Sequence, residues 1–438
     1  MESRDDSAEV AEAKAFMDAF RKRATETSEL HASDPGAGAG KSRLLIEISS
    51  SRPDDMVGTE TPRAALTSLS FILRNLGVFQ AVLIGRGKFS EVYSGRDAEG
   101  RANGHAIKVA KDAASLVSIK EGQAGTEAYA LHLGAMYSKS GGSSPFLSSS
   151  ILMAVPAAGG QYVAVLLMDE AKGTATEVVK MLAEGIKSDG SFSQPGLEMA
   201  RDFVRAVLER LFPLHFLLIA HRDLKPANLL MKGVNVFLAD PAFAMFSTSR
   251  HIPVPSPRAS PPTPKRTPQL GSGRAQNILH GAIAGTDVRR SPPANQAQRE
   301  IVRINASELE TIFSKQFRVR DNAGTHVYTG PEFPYNRHLG TMTSSDFLPG
   351  DMWAVGIILL QILSGDKFKW MRDQTQKTTM ADSSPQDFWV KYLCCSGMPS
   401  VDPAVLAAID LVRGLLRADP AARLTCSAAL AHPFLQRR

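Results

Sequence analysis

The alternation of apolar and polar positions changes character along the 438-residue chain. From about residue 78, short aliphatic and β-branched runs are separated by glycines: Val82-Leu83-Ile84, Glu91-Val92-Tyr93 and His105-Ala106-Ile107-Lys108-Val109. They predict the strands of an antiparallel sheet. A helical period covers about Ala114 to Tyr137, and two more strands are predicted at Ile151–Val155 and Tyr162–Met168. Beyond Thr174 helical periods dominate, notably over Leu197–Leu211, Asp351–Leu363 and Pro403–Leu416. A sheet-rich first half and a helical second half predict an α+β protein of two lobes.

Two stretches break this order. Ala8 to Glu29 is helical in composition and runs into the glycine-rich Asp34–Gly40, an extension plus linker. Gly40-Lys41-Ser42 has the ending of a phosphate-binding P-loop. However, Pro35 stands where its first glycine belongs, and the strand-like run Leu44–Ile48 follows the glycines where a P-loop needs it to precede them. A flexible linker fits better. Residues 247–303, with Ile252-Pro253-Val254-Pro255-Ser256-Pro257 and more of the same, have too few apolar side chains to bury and too many prolines for helix or sheet, so disorder is expected.

Composition sharpens this picture. The chain is 43% hydrophobic and 21% charged, enough apolar material for a large core. The net charge of +6 suggests nucleic acid until it is located: residues 247–303 hold nine Lys/Arg against two Asp/Glu, more than the whole excess. That stretch has no aromatic residue for base stacking, so no nucleic-acid partner is expected. Cys394, Cys395 and Cys426 form neither a disulfide framework nor a CxxC metal pair. The longest good apolar run, Ala354 to Leu363, is about half a bilayer span, and the charged N-terminus lacks a signal core. The expectation is a cytoplasmic protein with no membrane partner.

Candidate chemistry centres on His221-Arg222-Asp223-Leu224-Lys225-Pro226-Ala227-Asn228. Phosphoryl transfer to a hydroxyl needs a carboxylate to orient the nucleophile and take its proton, a cation on the migrating phosphate, and an oxygen ligand for magnesium. Asp223, Lys225 and Asn228 supply all three within six residues. The octapeptide resembles the catalytic loop of the eukaryotic-type protein kinase family, and a lysine two places after the aspartate resembles the serine/threonine branch. The resemblance implies a bilobal kinase fold with a small antiparallel sheet and one helix in the first lobe and a larger helical second lobe. It also implies ATP and Mg2+ as cofactors and a protein substrate. Asp223 is then the base, Lys225 lies on the γ-phosphate, and Asn228 is a magnesium ligand.

Other segments extend the resemblance in family order. Gly85-Arg86-Gly87-Lys88-Phe89-Ser90-Glu91-Val92 resembles the glycine-rich loop over the ATP phosphates, with Ser90 for the third glycine. Gly85, Gly87 and Val92 are the cofactor-binding residues it implies. Ala106-Ile107-Lys108 makes Lys108 the ligand of the α- and β-phosphates and Ala106 part of the base pocket. Glu127, nineteen residues on, is the expected partner of Lys108, with Glu121 as the alternative. Leu166–Gly173 aligns with the hinge, so the backbone at Asp169 and Ala171 would bond the adenine, with Met168 at its gate and Leu230 in the same pocket. Asp240 aligns with the second magnesium ligand of Asp-Phe-Gly, but Pro241 and Ala242 replace the phenylalanine and glycine. Gly324-Thr325-His326-Val327-Tyr328-Thr329-Gly330-Pro331-Glu332 resembles the end of an activation segment. Thr325 would contact Asp223 and Lys225, and Glu332 would pair with Arg423. Asp351 would brace the catalytic loop.

Taken together, these segments imply an N-terminal extension over 1–62, a small lobe over 63–168 and a large lobe over 169–438 that carries the insert 247–303 in its activation segment. The insert's Ser256, Ser260, Thr263, Thr267 and Ser291 precede proline, so an upstream proline-directed kinase is a candidate partner; a surface insertion without a role is the alternative. For the whole chain, an ATP-dependent serine/threonine kinase is expected. The departures at Pro241, Ala242 and Ser90 keep open a pseudokinase that binds nucleotide or partners without transferring phosphate.

Overall fold

The computed structural model describes residues 45–47, 61–139, 142–147, 150–188, 191–246, 300–315, 324–333, 344–364, 393 and 402–436. The helix expected at Ala8–Glu29, the linker 34–40, the five Ser/Thr-Pro sites and Cys394 and Cys395 lie outside them. The chain forms β1 (Leu45–Glu47), α1 (Thr61–Ser68), α2 (Ser70–Asn75), β2 (Gln80–Arg86), β3 (Ser90–Arg96) and β4 (Ala102–Ala110). It continues with α3 (Leu116–Glu121), α4 (Gln123–Lys139), β5 (Ile151–Pro156), β6 (Tyr162–Asp169) and the short β7 (Gly173–Thr174). The second half holds α5 (Thr176–Gly185), the β8 (Lys187–Ser188) and β9 (Ser191–Phe192) hairpin, α6 (Gln194–Phe216), β10 (Leu229–Lys232) and β11 (Asn235–Leu238). After residues 247–299 come β12 (Val302–Ile304), α7 (Ala306–Lys315), α8 (Ser344–Ser364), α9 (Pro403–Leu415) and α10 (Cys426–Leu430).

The five strands legible in the sequence form the middle of an antiparallel sheet of order β1-β2-β3-β4-β6-β5-β12. Alternation along each strand sends successive side chains to opposite faces. In β5 and β6, Ile151, Met153, Val155, Val163, Val165 and Leu167 face α1 and α2, where Leu66, Leu73 and the intervening Leu69 are fully buried. Leu152, Ala154, Ala164 and Leu166 face the other way, onto α3, α4 and α7. Both faces of the small-lobe sheet are therefore covered.

The helix expected over Ala114–Tyr137 is two helices. Ser115 caps α3 by accepting the Ser118 amide at 3.1 Å, and the chain breaks at Gly122, whose backbone is extended. Gly125 keeps the break tight, because a side chain there would overlap the Lys120 carbonyl oxygen. In α4 all seven residues from Gly125 to Leu131 are buried, so the helix is sheathed on every side instead of showing a polar stripe.

The disorder expected over 247–303 does not extend to its end. Val302 and Arg303 lie in β12, which pairs with the free edge of β5 in the register Val302↔Ala154, Arg303↔Met153 and Ile304↔Leu152. The aliphatic, β-branched run Ile301-Val302-Arg303-Ile304 suits a strand and satisfies an otherwise open sheet edge. Chain position puts residues 302–315 with the large lobe; their pairing and packing put them on the small one. The large-lobe core gathers around α6, α8 and α9, with Trp353, Ile357 and Leu360 at its centre. Over Ser345–Ser364, α8 is long and apolar enough to cross a membrane, but 78% of it is buried inside the fold, as befits a core helix.

Candidate active site

Lys108, on β4, stands opposite Val92 on β3 and Leu166 on β6, so it shares the sheet face that looks toward α4. Its Nζ lies 2.6 Å from Glu127 Oε2 on α4 and 2.6 Å from Asp240 Oδ1 beyond β11. Glu121, the alternative partner, ends α3 on the far side of the Gly122 break. Burial works against the Lys108 ammonium, but the two carboxylates overcome it and hold the lysine charged far beyond its ordinary range. Burial also pushes Asp240 up, and there the ammonium wins, leaving the carboxyl below its ordinary value. For Glu127, 4% exposed, burial dominates the pull of Lys108 and the value is raised. The two carboxylates thus differ in environment: Glu127 is enclosed, and the Asp240 side chain is 41% exposed at the cleft.

The catalytic-loop residues are held by a buried brace. Asp351 on α8, 2% exposed, accepts the His221 amide at 2.7 Å on Oδ2 and the Arg222 amide at 2.8 Å on Oδ1. Bending two successive amides onto one carboxylate takes Arg222 to φ +67, a conformation that side-chain-bearing residues hold only when the surroundings impose it. The loop in turn grips the strand end before Asp240. His221 Nε2 donates to the Ala239 carbonyl at 2.9 Å, and the Ala239 amide donates to the Asn228 carbonyl at 2.9 Å. Both backbone groups of Ala239 are spent on the loop, which fixes Asp240 at φ +54 facing Lys108.

Asp223 sits at the junction. Its Oδ1 accepts the Thr325 hydroxyl at 2.8 Å, and its Oδ2 accepts Lys225 Nζ at 2.8 Å and Asn228 Nδ2 at 2.9 Å. Lys225 Nζ also donates to Thr325 Oγ1 at 2.7 Å. Thr325 reaches this point because Gly324 takes φ +106; a Cβ there would lie 2.7 Å from the Arg222 carbonyl oxygen. Seven residues on, Glu332 meets Arg423 in a two-pronged pair at 2.6 and 2.9 Å, and Arg423 also donates to the carbonyls of Pro349 and Arg417. The Arg423 side chain is fully buried, a position a guanidinium holds only when its donors are matched in this way. The Arg222 guanidinium lies 4.4 Å from the Phe347 ring centroid, and that ring stacks on Phe333.

The residues expected to line a nucleotide pocket lie on or next to β2, β3 and β4, at or just past the end of β6, and on β10. Gly85 stands opposite Val92, and Gly87 closes the β2–β3 hairpin by donating its amide to the Ser90 carbonyl at 2.8 Å. Ala106 is buried and stands opposite Ser94 and Met168. Asp169 ends β6 at the surface; Glu170 donates its amide to the Gly104 carbonyl, and Lys172 to that of Met231. β7 then pairs with β10, setting Thr174 opposite Leu230, with Ala171 two residues before β7. A tether under the β2–β3 hairpin was not legible in advance: Arg86 meets the buried Glu91 at 2.8 Å, and the Tyr93 hydroxyl donates to Glu91 at 2.6 Å. Nor were the aromatic contacts among Tyr129, Phe246 and Phe313. The one signal was the absence of a polar stripe in Ala124–Leu131, which points to a helix covered all round.

Comparison with known proteins agrees with this geometry. Residues 302–435 match the protein kinase domain family, a span that takes in Thr325, Glu332, Asp351 and Arg423 and leaves the catalytic loop outside it. The human phosphorylase b kinase gamma catalytic chain, liver/testis isoform, is 31% identical over 125 residues, 27% of each chain. The rabbit calcium/calmodulin-dependent protein kinase type II subunit delta is 32% identical over 120 residues, 26% of this chain and 19% of the relative. The Arabidopsis thaliana serine/threonine-protein kinase WAG2 is 29% identical over 252 residues, 55% of this chain and 45% of the relative. The chain thus spans less than half the length of each of these relatives. These matches support a likeness to the eukaryotic-type protein kinase family, serine/threonine branch.

Proposed function

We propose that the chain is an active serine/threonine protein kinase that transfers the γ-phosphate of ATP to protein Ser or Thr hydroxyls. The observation that carries this reading is the joining of two charge networks from separate elements: Lys108 with Glu127 and Asp240, and Asp223 with Lys225, Asn228 and Thr325. On this reading Asp223 orients the substrate hydroxyl and takes its proton as the oxygen attacks the γ-phosphorus. The bond from the γ-phosphorus to the bridging oxygen breaks and ADP leaves. Lys225 neutralises charge on the migrating group, Lys108 holds the α- and β-phosphates, and Glu127 keeps Lys108 in place.

The donors fit a magnesium ion. Asn228 spends its amide NH2 on Asp223, which leaves Oδ1 as a hard oxygen ligand, and Asp240 uses Oδ1 for Lys108, which leaves Oδ2 as a second oxygen donor. Bound there, magnesium supplies charge neutralisation on the phosphate oxygens. Gly85, Gly87 and Val92 would cover the phosphates, with Ala106, Leu230 and the backbone at Asp169 and Ala171 around the base. The division into a small lobe over 63–168 and a large lobe over 169–438 goes with this reading, amended so that residues 302–315 serve the small lobe. A second reading, a nucleotide-binding pseudokinase, draws on Pro241 and Ala242, which replace the aromatic ring and the free glycine after Asp240. Radiolabelled transfer from ATP by wild type but not by Asp223→Asn supports the kinase; ATP·Mg2+ binding by both with transfer by neither supports the alternative.

A further inference from the structure

Glu127 can hold Lys108 only if α4 keeps its rotation and its distance from the sheet. Family members rely for this partly on an aromatic ring beneath the helix, and here Pro241 stands in that place. The Pro241–Phe243 turn still packs against α4, with Pro241 and Ala242 buried. A proline and an alanine offer little area to grip a helix, yet the helix is enclosed on all sides.

The enclosure is completed from the outside by the chain that returns after residues 247–299. Tyr129, two residues beyond Glu127, points about 200° round the helix from it. There its ring stacks on Phe313 of α7 at 5.3 Å and 14°, and meets Phe246 edge-on at 5.0 Å and 68°; Phe246 and Phe313 touch at 5.4 Å. The three rings come from α4, from six residues after Asp240, and from the returning helix. α7 is itself anchored twice. Lys120 of α3 lies 2.8 Å from Glu308, and β12, directly before α7, is hydrogen-bonded to β5. Leu309 and Ile304 add buried contacts to the same cluster as Tyr129.

We infer that β12, α7 and Phe246 form a built-in clamp that positions Glu127 against Lys108, with Phe313 and Tyr129 as its positioning residues. This rests on the kinase reading above and replaces, from outside the helix, the grip lost at Pro241. A displaced α4 moves the Glu127 carboxylate away from Lys108, whose 2.6 Å contact tolerates little motion. Misplacement on the order of 1 Å costs about a hundredfold in rate.

A double-mutant cycle on the full chain tests this, read as autophosphorylation and transfer to a degenerate Ser/Thr peptide pool. Phe313→Ala should lower kcat by about 10- to 100-fold without raising the KM for peptide, and Phe313→Tyr should restore most of it. In a Glu127→Gln background, Phe313→Ala should add less than about a twofold loss, because the two act through one contact. Leu69→Ala, on the opposite face of the same sheet, should lower the melting temperature comparably and leave kcat near wild type. Equal losses from Phe313→Ala in both backgrounds, or a loss matched by Leu69→Ala, overturn the clamp. If wild type transfers no phosphate, the kinase reading fails by itself. The clamp is then judged by amide exchange over Gln123–Leu131, which Phe313→Ala should speed at least tenfold and Leu69→Ala should not; unchanged exchange in Phe313→Ala overturns it.

Discussion

The catalytic loop, His221 to Asn228, and the segment from Asp240 to Glu332 meet at Asp223, yet they are built on opposite plans. In the loop the proposed chemistry is local: on the kinase reading eight consecutive residues would carry the base, the cation and the oxygen ligand, and one buried carboxylate from α8 accepts the His221 and Arg222 amides. In the segment the chemistry is distributed. Its two ends, Asp240 and Thr325, bond the site, while the stretch between leaves the large lobe and adds a strand and a helix to the small one. Where a motif is spelled in full, its functional groups are chain neighbours and distant residues only brace it. Where it has lost residues, as at Pro241 and Ala242, contacts from distant chain take over.

Experiments that strike the two regions separately put this contrast at risk. The largest effect should come from the loop: Asp223→Asn should slow transfer by about 10²–10⁴-fold with little change in melting temperature, measured with radiolabelled ATP. A small loss there would place the chemistry elsewhere. Next, Arg423→Ala leaves Glu332 with no matched cation in a buried site and should cost about 3–5 kcal/mol in denaturant unfolding. A cost near zero would mean that the far end of the segment is not anchored through this pair. Gly324→Ala asks a side chain to hold φ +106 against the Arg222 carbonyl, and should pull Thr325 off Asp223. We expect about a tenfold fall in kcat, equivalent to ~1.4 kcal/mol of lost positioning.

The smallest effect is a pH dependence. The Asp240 carboxyl lies below its ordinary value in the folded chain because Lys108 outweighs burial, so its ionised form favours folding. That stability is present above the ordinary aspartate value of about 4 and is lost as pH falls through the lower folded value. Urea midpoints of wild type and Asp240→Asn should therefore converge on acidification below about pH 4; a gap that widens instead would reverse the sign.

What could be read in advance follows the same division. Period-two runs placed the five central strands, and glycines and a basic strand residue marked the loop and Lys108, because a strand's faces and a hairpin's turn are local properties. Glu127 could be placed nineteen residues after Lys108, although the break at Gly122, which takes Glu121 out of contention, could not. The addition of β12 to the β5 edge was not legible. Three residues, Val302 to Ile304, follow a long proline-rich stretch, and nothing local says which edge they will find. Phe246 and Phe313 are likewise unremarkable as isolated aromatics; only the tertiary fold brings them to Tyr129.

The strand β12 also changes how the two lobes are connected. On the kinase reading the lobes would pivot near Asp169–Gly173, but this chain passes between lobes twice more, to β12 after Phe246 and from α7 back to Gly324. Along the chain, the two lobes are therefore connected three times instead of once. On the proposed kinase reading, the three-residue pairing of β12 with β5 would then bear on nucleotide exchange, although no residue of β12 belongs to the proposed nucleotide pocket.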